Sequence, residues 1–263
     1  KGHYKSRMQI KTGDELEILA NSFNEMLGKT DTLVNQVLRN EIKYRDMQLM
    51  ALQSQINPHL LYNTLECINS LAELGRKDDI RRVTIAFSNL MKSLSEGPKM
   101  VELGKELRYT EDFLLIYKIL LGEKLNYTID TDEMNENVTI PRLTIQPLVE
   151  NAVLHGIKKS MNGGNVNINV SPTGDGVLIS VVDDGIGMPS ELVAAINAYA
   201  AGEDVGNAQK IGTGMRNVID RLKLVYNDAA ALIVSSSPEW GTIIDVNIPV
   251  KEGNDETLHS DFG

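Results

Sequence analysis

Several things are scarce in this chain, and each scarcity excludes something. Its one cysteine, Cys67, allows no internal disulfide framework and fits a reducing compartment. Basic residues are in deficit, 26 Lys and Arg against 36 Asp and Glu. The resulting charge of −10 argues against a nucleic-acid-binding surface, and no basic patch with interleaved aromatics is visible. No apolar run reaches the roughly 18 residues that a membrane span needs, and no signal peptide is visible. The first residues, KGHYKSRMQI, lack an initiator methionine and read as the start of an excised fragment. Their basic character fits either a flank just inside a membrane or an ordinary solvated stretch.

What is present is a globular composition, 42% hydrophobic and 24% charged over 263 residues. That length implies about two domains with ample apolar material for a core. From Leu16 the positions Leu19, Phe23, Met26, Thr30, Leu33, Val37, Asn40, Tyr44, Met47 and Ala51 follow at alternating steps of three and four. A heptad pattern held for about five heptads predicts a coiled coil, with Thr30 and Asn40 as polar interruptions that set register. A parallel dimer would bury that stripe, and so would packing against the same chain.

The next stretch, LQSQINPHLLYNTLECI over 52–68, is apolar enough for a core yet carries His59 directly after Pro58. A proline inside a helix costs about 3 kcal/mol unless supported. Two readings stand: a kinked core helix with a buried histidine, or a reactive site. The spacing puts Leu52, Ile56, Leu60, Leu65, Ile68 and Leu71 on one face, and His59, Asn63, Glu66 and Ser70 on another. Gly75 is placed as a C-cap, and Asp78 or Asp79 as the cap of a second helix through Leu94. Two such hairpins from a dimer would make a four-helix bundle.

After a break at Glu96-Gly97-Pro98, a helix is expected over 104–121 with Leu107, Phe113, Leu114, Tyr117 and Leu121 inward. The character then changes. A strand is expected at 125–130, and a helix opening at Pro141 and running through His155. Strands are expected next at 166–170 and 177–182, then helices at 190–201 and 215–226, and strands at 232–236 and 242–250. Helices segregated from a mostly antiparallel sheet indicate an α+β fold. The expected segments are a linker and coiled coil over 1–50, a helical hairpin over 51–122, a sandwich over 123–250 and a polar tail over 251–263.

Three stretches of the second half carry chemistry. In PLVENAVLHG, Asn151 is a neutral oxygen donor suited to Mg²⁺, with Glu150 beside it and His155 one turn on. In VVDDGIGMP, a strand ends in Asp183, a carboxylate able to accept from an exocyclic amine. Gly185 and Gly187 would let a flat ring approach the backbone. In GTGMRN, Gly212, Thr213 and Gly214 open a helix whose free N–H groups favour phosphate. Singly each is weak; in order, 30 to 60 residues apart, they are strong.

On these motifs the chain resembles the bacterial sensor histidine kinases of the LytS/YesM type, with their Bergerat-type (GHKL) ATP-binding domain. LQSQINPHLLYNTLECI is similar to the family's phosphoacceptor box, PRLTIQPLVENAVLHG to its asparagine box, and DDGIG and GTGMRNVIDRL to its two glycine boxes. TGDELEILANSFNEML resembles the end of a HAMP linker, the relay between membrane and kinase. The resemblance implies a GHKL-type α/β sandwich after the dimeric hairpin, with ATP and Mg²⁺ bound. His59 would be the phosphoacceptor, Asn151 the Mg²⁺ ligand and Asp183 the adenine reader, with Gly185 and Gly187 lining the base. Gly212, Thr213 and Gly214 would sit at a lid over the phosphates, and Thr242 would support the adenine site. Lys158 and Lys159 read as surface lysines, with phosphate contact the minority reading.

The resemblance also implies a homodimer, a response regulator as partner, and a cytoplasmic position in a membrane-anchored sensor whose anchoring segment lies outside this sequence. Departures from the family pattern are specific. Leu60, not an acid, comes directly after the histidine, as is usual for this type, so the base must come from elsewhere. Asn63 matches the position linked to phosphatase activity in other families. IYKILLG over 116–122 replaces an IQxxRFG-like run. A dimeric nucleotide-binding adaptor that transfers no phosphate, and a gyrase- or chaperone-like ATPase, are the other readings. Only His59 in its box separates the kinase from them.

Overall fold

The computed structural model describes residues 58–95, 100–203 and 211–249, with the single positions Asn24, Met26, Leu27 and Lys29. The heptads from Leu16 to Ala51, the linker-like stretch 12–27, the break at 96–98 and the tail from Lys251 lie outside them, apart from those four positions. The chain divides at Leu61, and the unit from Tyr62 onward carries the elements that position the site. Among the described residues no helix is long and apolar enough to cross a membrane.

Helix α1 is described over Pro58–Glu73 and helix α2 over Lys77–Ser95. Between them Gly75 adopts φ 69°, the Arg76 N–H reaches the Leu71 carbonyl at 2.9 Å, and the Gly75 N–H reaches Ala72 at 3.1 Å. This is a Schellman turn, which needs a left-handed residue at that place and so favours glycine. Asp78 and Asp79 do not cap α2. They lie inside its first turn, where carboxylates suit the helix dipole, and Asp79 accepts from Arg76 Nε at 2.7 Å. The buried stripe keeps Leu60 and Leu71 of the expected face but passes through Thr64 and Cys67 in place of Leu65 and Ile68. Thr64, Cys67 and Leu71 are buried in α1 and Val83, Ala86 and Leu90 in α2, whereas Leu65 is 53% exposed.

A short strand β1, Met100–Glu102, pairs antiparallel with β3, Thr139–Pro141. Helix α3, Leu103–Leu121, begins at once, burying Leu107, Phe113, Leu114 and Tyr117 as expected; Leu121 is only partly covered. Pro141 does not open a helix. It closes β3, where its missing N–H is tolerated at a sheet edge, and the chain then turns through Leu143 at φ 61°.

The central sheet holds β2 (Leu125–Asp130), β4 (Gly164–Pro172), β5 (Gly176–Asp183), β7 (Gly241–Pro249) and β6 (Ala231–Ser237), in that spatial order. Only β2 and β4 run parallel. Alternation along the strands points Val166, Ile168, Ile179, Val181, Ile244 and Val246 to one buried face, the period-2 signature of a sheet covered on one side. The covering layer is α3 against β2, α5 (Gln146–Asn151) with the turn that continues it, and α6 (Ser190–Ala200) against β6. Helix α7, Thr213–Tyr226, packs on α5; α4, Glu133–Glu136, is a single turn. The result is an α+β sandwich with a mostly antiparallel sheet. Residue 122 lies inside this unit: α3 passes through a 3₁₀ turn, Gly122–Lys124, straight into β2.

Candidate nucleotide site

The site grows from the end of β5. Asp183 is its last residue, opposite Thr242 on β7 and Val166 on β4, so the sheet holds its backbone from both sides. The carboxylate faces the buried side at 5% exposure. It accepts the Gly185 N–H at 3.0 Å and a hydrogen bond from the Thr242 hydroxyl. Burial pushes its pKa up to about 6; those two hydrogen bonds pull the other way, and the neighbouring Asp184 pushes further up. A carboxylate held in this way, with only two donors of its own, is suited to accept from a polar ligand at neutral pH.

Helix α5 ends at Asn151, and the chain continues as a π-helical turn over Ala152–Ile157, seen in the Lys158 N–H to Val153 carbonyl bond at 2.8 Å. Such wide turns recur at functional sites because the extra residue re-aims the side chains after it. Here Ala152, Val153 and Ile157 are buried in the core, His155 points outward, and Gly156 is laid against Asp183. A Cβ on Gly156 would stand 2.6 Å from Asp183 Oδ1, and one on Gly185 would stand 2.5 Å from the Gly156 Cα. These glycines are therefore required by the protein's own close approach, not only by a ring lying on the backbone. Gly187, at φ 68°, sits against the Ser237 carbonyl, and Gly241, at φ 91°, against the carbonyl of Asp183.

Asn151 and Glu150 are partly exposed at the end of α5, and Gln146 Nε2 donates to Glu150 Oε1 at 3.1 Å. Among the described residues no cluster of three or more His, Cys, Asp or Glu could hold a metal ion. A cation here would rest on Asn151 and on oxygens brought by a ligand, which suits Mg²⁺ and its reluctance to shed water. Desolvation by burial, and then the charge of Lys159, lower the pKa of His155; Lys158 and Lys159 are exposed.

Gly212 stands at the N-cap of α7 with no side-chain cap bond, and Gly212 and Thr213 are exposed. Among the described residues a Cβ on Gly212 would meet nothing within 4 Å, and one on Gly214 only Pro147 at 3.8 Å, which sets this helix start beside α5. The leading N–H groups of a 14-residue helix there form a natural anion site. The structure thus brings Asp183, Gly185, Gly187 and Thr242 together where the inner strands β5 and β7 meet, with Gly156, and sets Gly214 beside the start of α5.

Asn63 lies on α1, where its Nδ2 donates to the Tyr117 hydroxyl at a long 3.5 Å. Burial raises the Tyr117 phenol, and the charge of Glu150 raises it too. The Tyr of IYKILLG is therefore placed between the hairpin and the asparagine box. The side chain of His59 lies outside the described residues. Sequence reasoning missed Gly156 as a site residue, since a lone glycine after a helix reads as a C-cap. It also missed Ser236, which accepts the Met188 N–H at 2.9 Å, donates to the Gly241 carbonyl at 2.7 Å and lies 3.1 Å from the Thr242 hydroxyl. No pattern in a serine-rich strand end marks it.

Comparison with known proteins is consistent across the chain. The family described as histidine kinase matches residues 47–125, and that described as histidine kinase-, DNA gyrase B- and HSP90-like ATPase matches 139–252. Sensor histidine kinase YesM of Bacillus subtilis is 29% identical over 91% of this chain and 40% of its own length. Sensor protein kinase HptS of Staphylococcus aureus is 27% identical over 96% of this chain and 48% of its own. The chain thus spans about half the length of these relatives or less. Among solved structures, the histidine kinase domain of a blue-light activated histidine kinase from Erythrobacter litoralis is similar at 19% identity and a TM-score of 0.43. That likeness covers 78% of this chain and 94% of the other.

Proposed function

Because this chain belongs to the histidine kinases with a GHKL-type ATPase domain, we propose that it uses ATP to phosphorylate His59 and passes the phosphoryl group to an aspartate of a response regulator. In the first step a ring nitrogen of His59 attacks the γ-phosphorus, the bond from that phosphorus to the bridging oxygen breaks, and ADP leaves. A free imidazole titrates near pH 6.5, so a sizeable fraction is already a neutral nucleophile at pH 7, and positioning does most of the work. Asp183 reads the adenine amine, supported by Thr242, with Gly185 and Gly187 beside the base. The N–H groups at Gly212, Thr213 and Gly214 take phosphate, and Asn151, beside Glu150 and His155, holds Mg²⁺. The ion supplies charge neutralisation at the phosphates when bound.

The observation that carries the reading is the buried Asp183, kept as a hydrogen-bond acceptor at the glycine-lined end of β5 and tied to Gly185 and Thr242. Dimerisation through α1 and α2 is supported by Tyr62, Leu65 and Ile85, left 71%, 53% and 52% exposed on the hairpin. Asn63 is proposed to act in removing the phosphoryl group. A position on the cytoplasmic side of a membrane is supported by the linker-like stretch 12–27. Incubation with γ-labelled ATP tests the core of the proposal. Label on the wild-type chain and none on His59→Ala is expected, and equal labelling of both refutes the assignment.

A further inference from the structure

The turn over 142–145 joins β3 to α5; two elements grip it through its own backbone and a third is tied to it through the Arg142 side chain. From α3, Glu106 is buried at 1% exposure. Its Oε2 accepts the Leu143 N–H at 3.1 Å and its Oε1 the Ile145 N–H at 3.2 Å; the Gln146 backbone bonds to the same carboxylate. The start of α5 has no cap of its own. Ile145, in the cap position, makes no side-chain cap bond, and Pro147 has no N–H to give. Glu106 therefore takes, from 39 residues away, N–H groups at the helix start that no local side chain accepts.

From α7, Arg221 Nη1 donates to the carbonyls of Arg142 at 2.8 Å and Leu143 at 2.6 Å. Arg142 in turn donates to the Ser93 carbonyl near the end of α2 at 2.8 Å. Leu143 stands at φ 61°, a left-handed conformation that a leucine adopts only when its surroundings hold it there. Burial raises the Glu106 carboxyl and lowers the Arg221 guanidinium, while the opposite charge of each counters the effect on the other.

What this turn carries decides its meaning. Helix α5 is six residues long and ends at Asn151, so the turn that sets its start lies less than two helical turns from that asparagine. Arg221 belongs to the helix that opens at Gly212–Gly214, and Gly214 already faces Pro147. The same clamp thus ties the asparagine to the glycine loop. Asp183 and Thr242 are held by the sheet instead, and Gly156 is locked by the burial of Ala152, Val153 and Ile157 around it.

We propose that Glu106 is a positioning residue: with Arg221 it sets α5, and hence Asn151, against the glycine loop, so that the metal-and-phosphate end of the site is assembled separately from the base end. This rests on reading Asn151 and Gly212–Gly214 as that end of a nucleotide site. Glu106→Gln keeps the shape and one acceptor but turns the other oxygen into a donor facing an N–H. Calorimetric titration of the whole chain with ADP, once in Mg²⁺ and once in EDTA, reads the effect. Wild type is expected to bind more tightly in Mg²⁺. In Glu106→Gln the metal-dependent gain falls tenfold or more, while affinity in EDTA stays within twofold. Arg221→Lys, which keeps the charge but shortens the reach, gives the same split and decides the matter should Glu106→Gln fail to fold by circular dichroism. Unchanged gain, or an equal loss in both buffers, overturns the proposal, the second result marking a merely structural role. A wild type that binds ADP with no metal-dependent gain overturns it as well. A wild type that binds no ADP in either buffer refutes the nucleotide reading itself.

Discussion

Asp183→Asn should make the unliganded protein more stable and its nucleotide binding at least about tenfold weaker. The carboxyl moves from an ordinary 3.8 to about 6, chiefly because it is buried at the end of a central strand. At 1.36 kcal/mol per tenfold, that shift corresponds to a cost of about 3 kcal/mol to the folded state when the group is ionised. The sign comes from the direction. The folded protein binds this proton more tightly than the unfolded chain, so the cost is fully present above about pH 6 and fades as pH falls toward 3.8. Asparagine removes the charge and keeps an acceptor for the Gly185 N–H, but it gives up charge-assisted bonds to Gly185 and Thr242. The value near 6 already includes the pull of those bonds, so a gain of up to about 3 kcal/mol is expected at pH 8. Urea unfolding of both proteins at pH 8 and pH 4.5 measures it, with a gain at pH 8 that shrinks at pH 4.5. ADP titration at pH 8 should meanwhile show a loss of at least about tenfold, the value of a hydrogen bond to a charged acceptor. A variant less stable than wild type at pH 8, or a difference independent of pH, refutes the claim that this carboxylate is held ionised against its burial.

The same geometry has other consequences. For wild type, ADP affinity should fall as pH drops through about 6 while the unliganded protein is relieved of the Asp183 penalty, opposite trends that calorimetry and urea unfolding separate. Gly156→Ala places a Cβ 2.6 Å from Asp183 Oδ1, so a loss of about 1–3 kcal/mol in urea unfolding is expected together with weakened ADP binding. Wild-type stability in that variant would mean the π turn can step back. Gly75→Ala adds a Cβ that meets nothing within 4 Å, leaving only the φ of 69° to oppose it. The expected cost is about 1 kcal/mol with ADP affinity unchanged, and a change in affinity would tie the hairpin turn to the site.

Local chemistry made much of this legible. Period-2 runs of Val and Ile located β4, β5 and β7 to within one or two residues, because a one-sided sheet must alternate. Gly75 stopped α1 for the reason expected of it. Strand β1 was not legible, since three residues carry no period and their partner β3 lies 39 residues away. Pro141 misled for a related reason: a proline suits both the first turn of a helix and the edge of a sheet, and only pairing with Met100 selects the second. The altered stripe of α1 has the same origin, since Thr64 and Cys67 rather than Leu65 face the covered side, and neither residue type declares it.

The amino-acid order by itself determined which groups are available: a histidine in its box, a carboxylate ending a strand, an asparagine on a short helix and glycines where backbones must meet. Those are properties of residue type and near spacing. The tertiary structure alone decided what each group experiences. Asp183 titrates near 6 because two neighbouring strands and Gly156 exclude water from it. Glu106 caps a helix it does not belong to because α3 crosses the turn after β3. Solvent exclusion and long-range hydrogen bonding depend on which distant segments meet, and spacing along the chain carries no record of that.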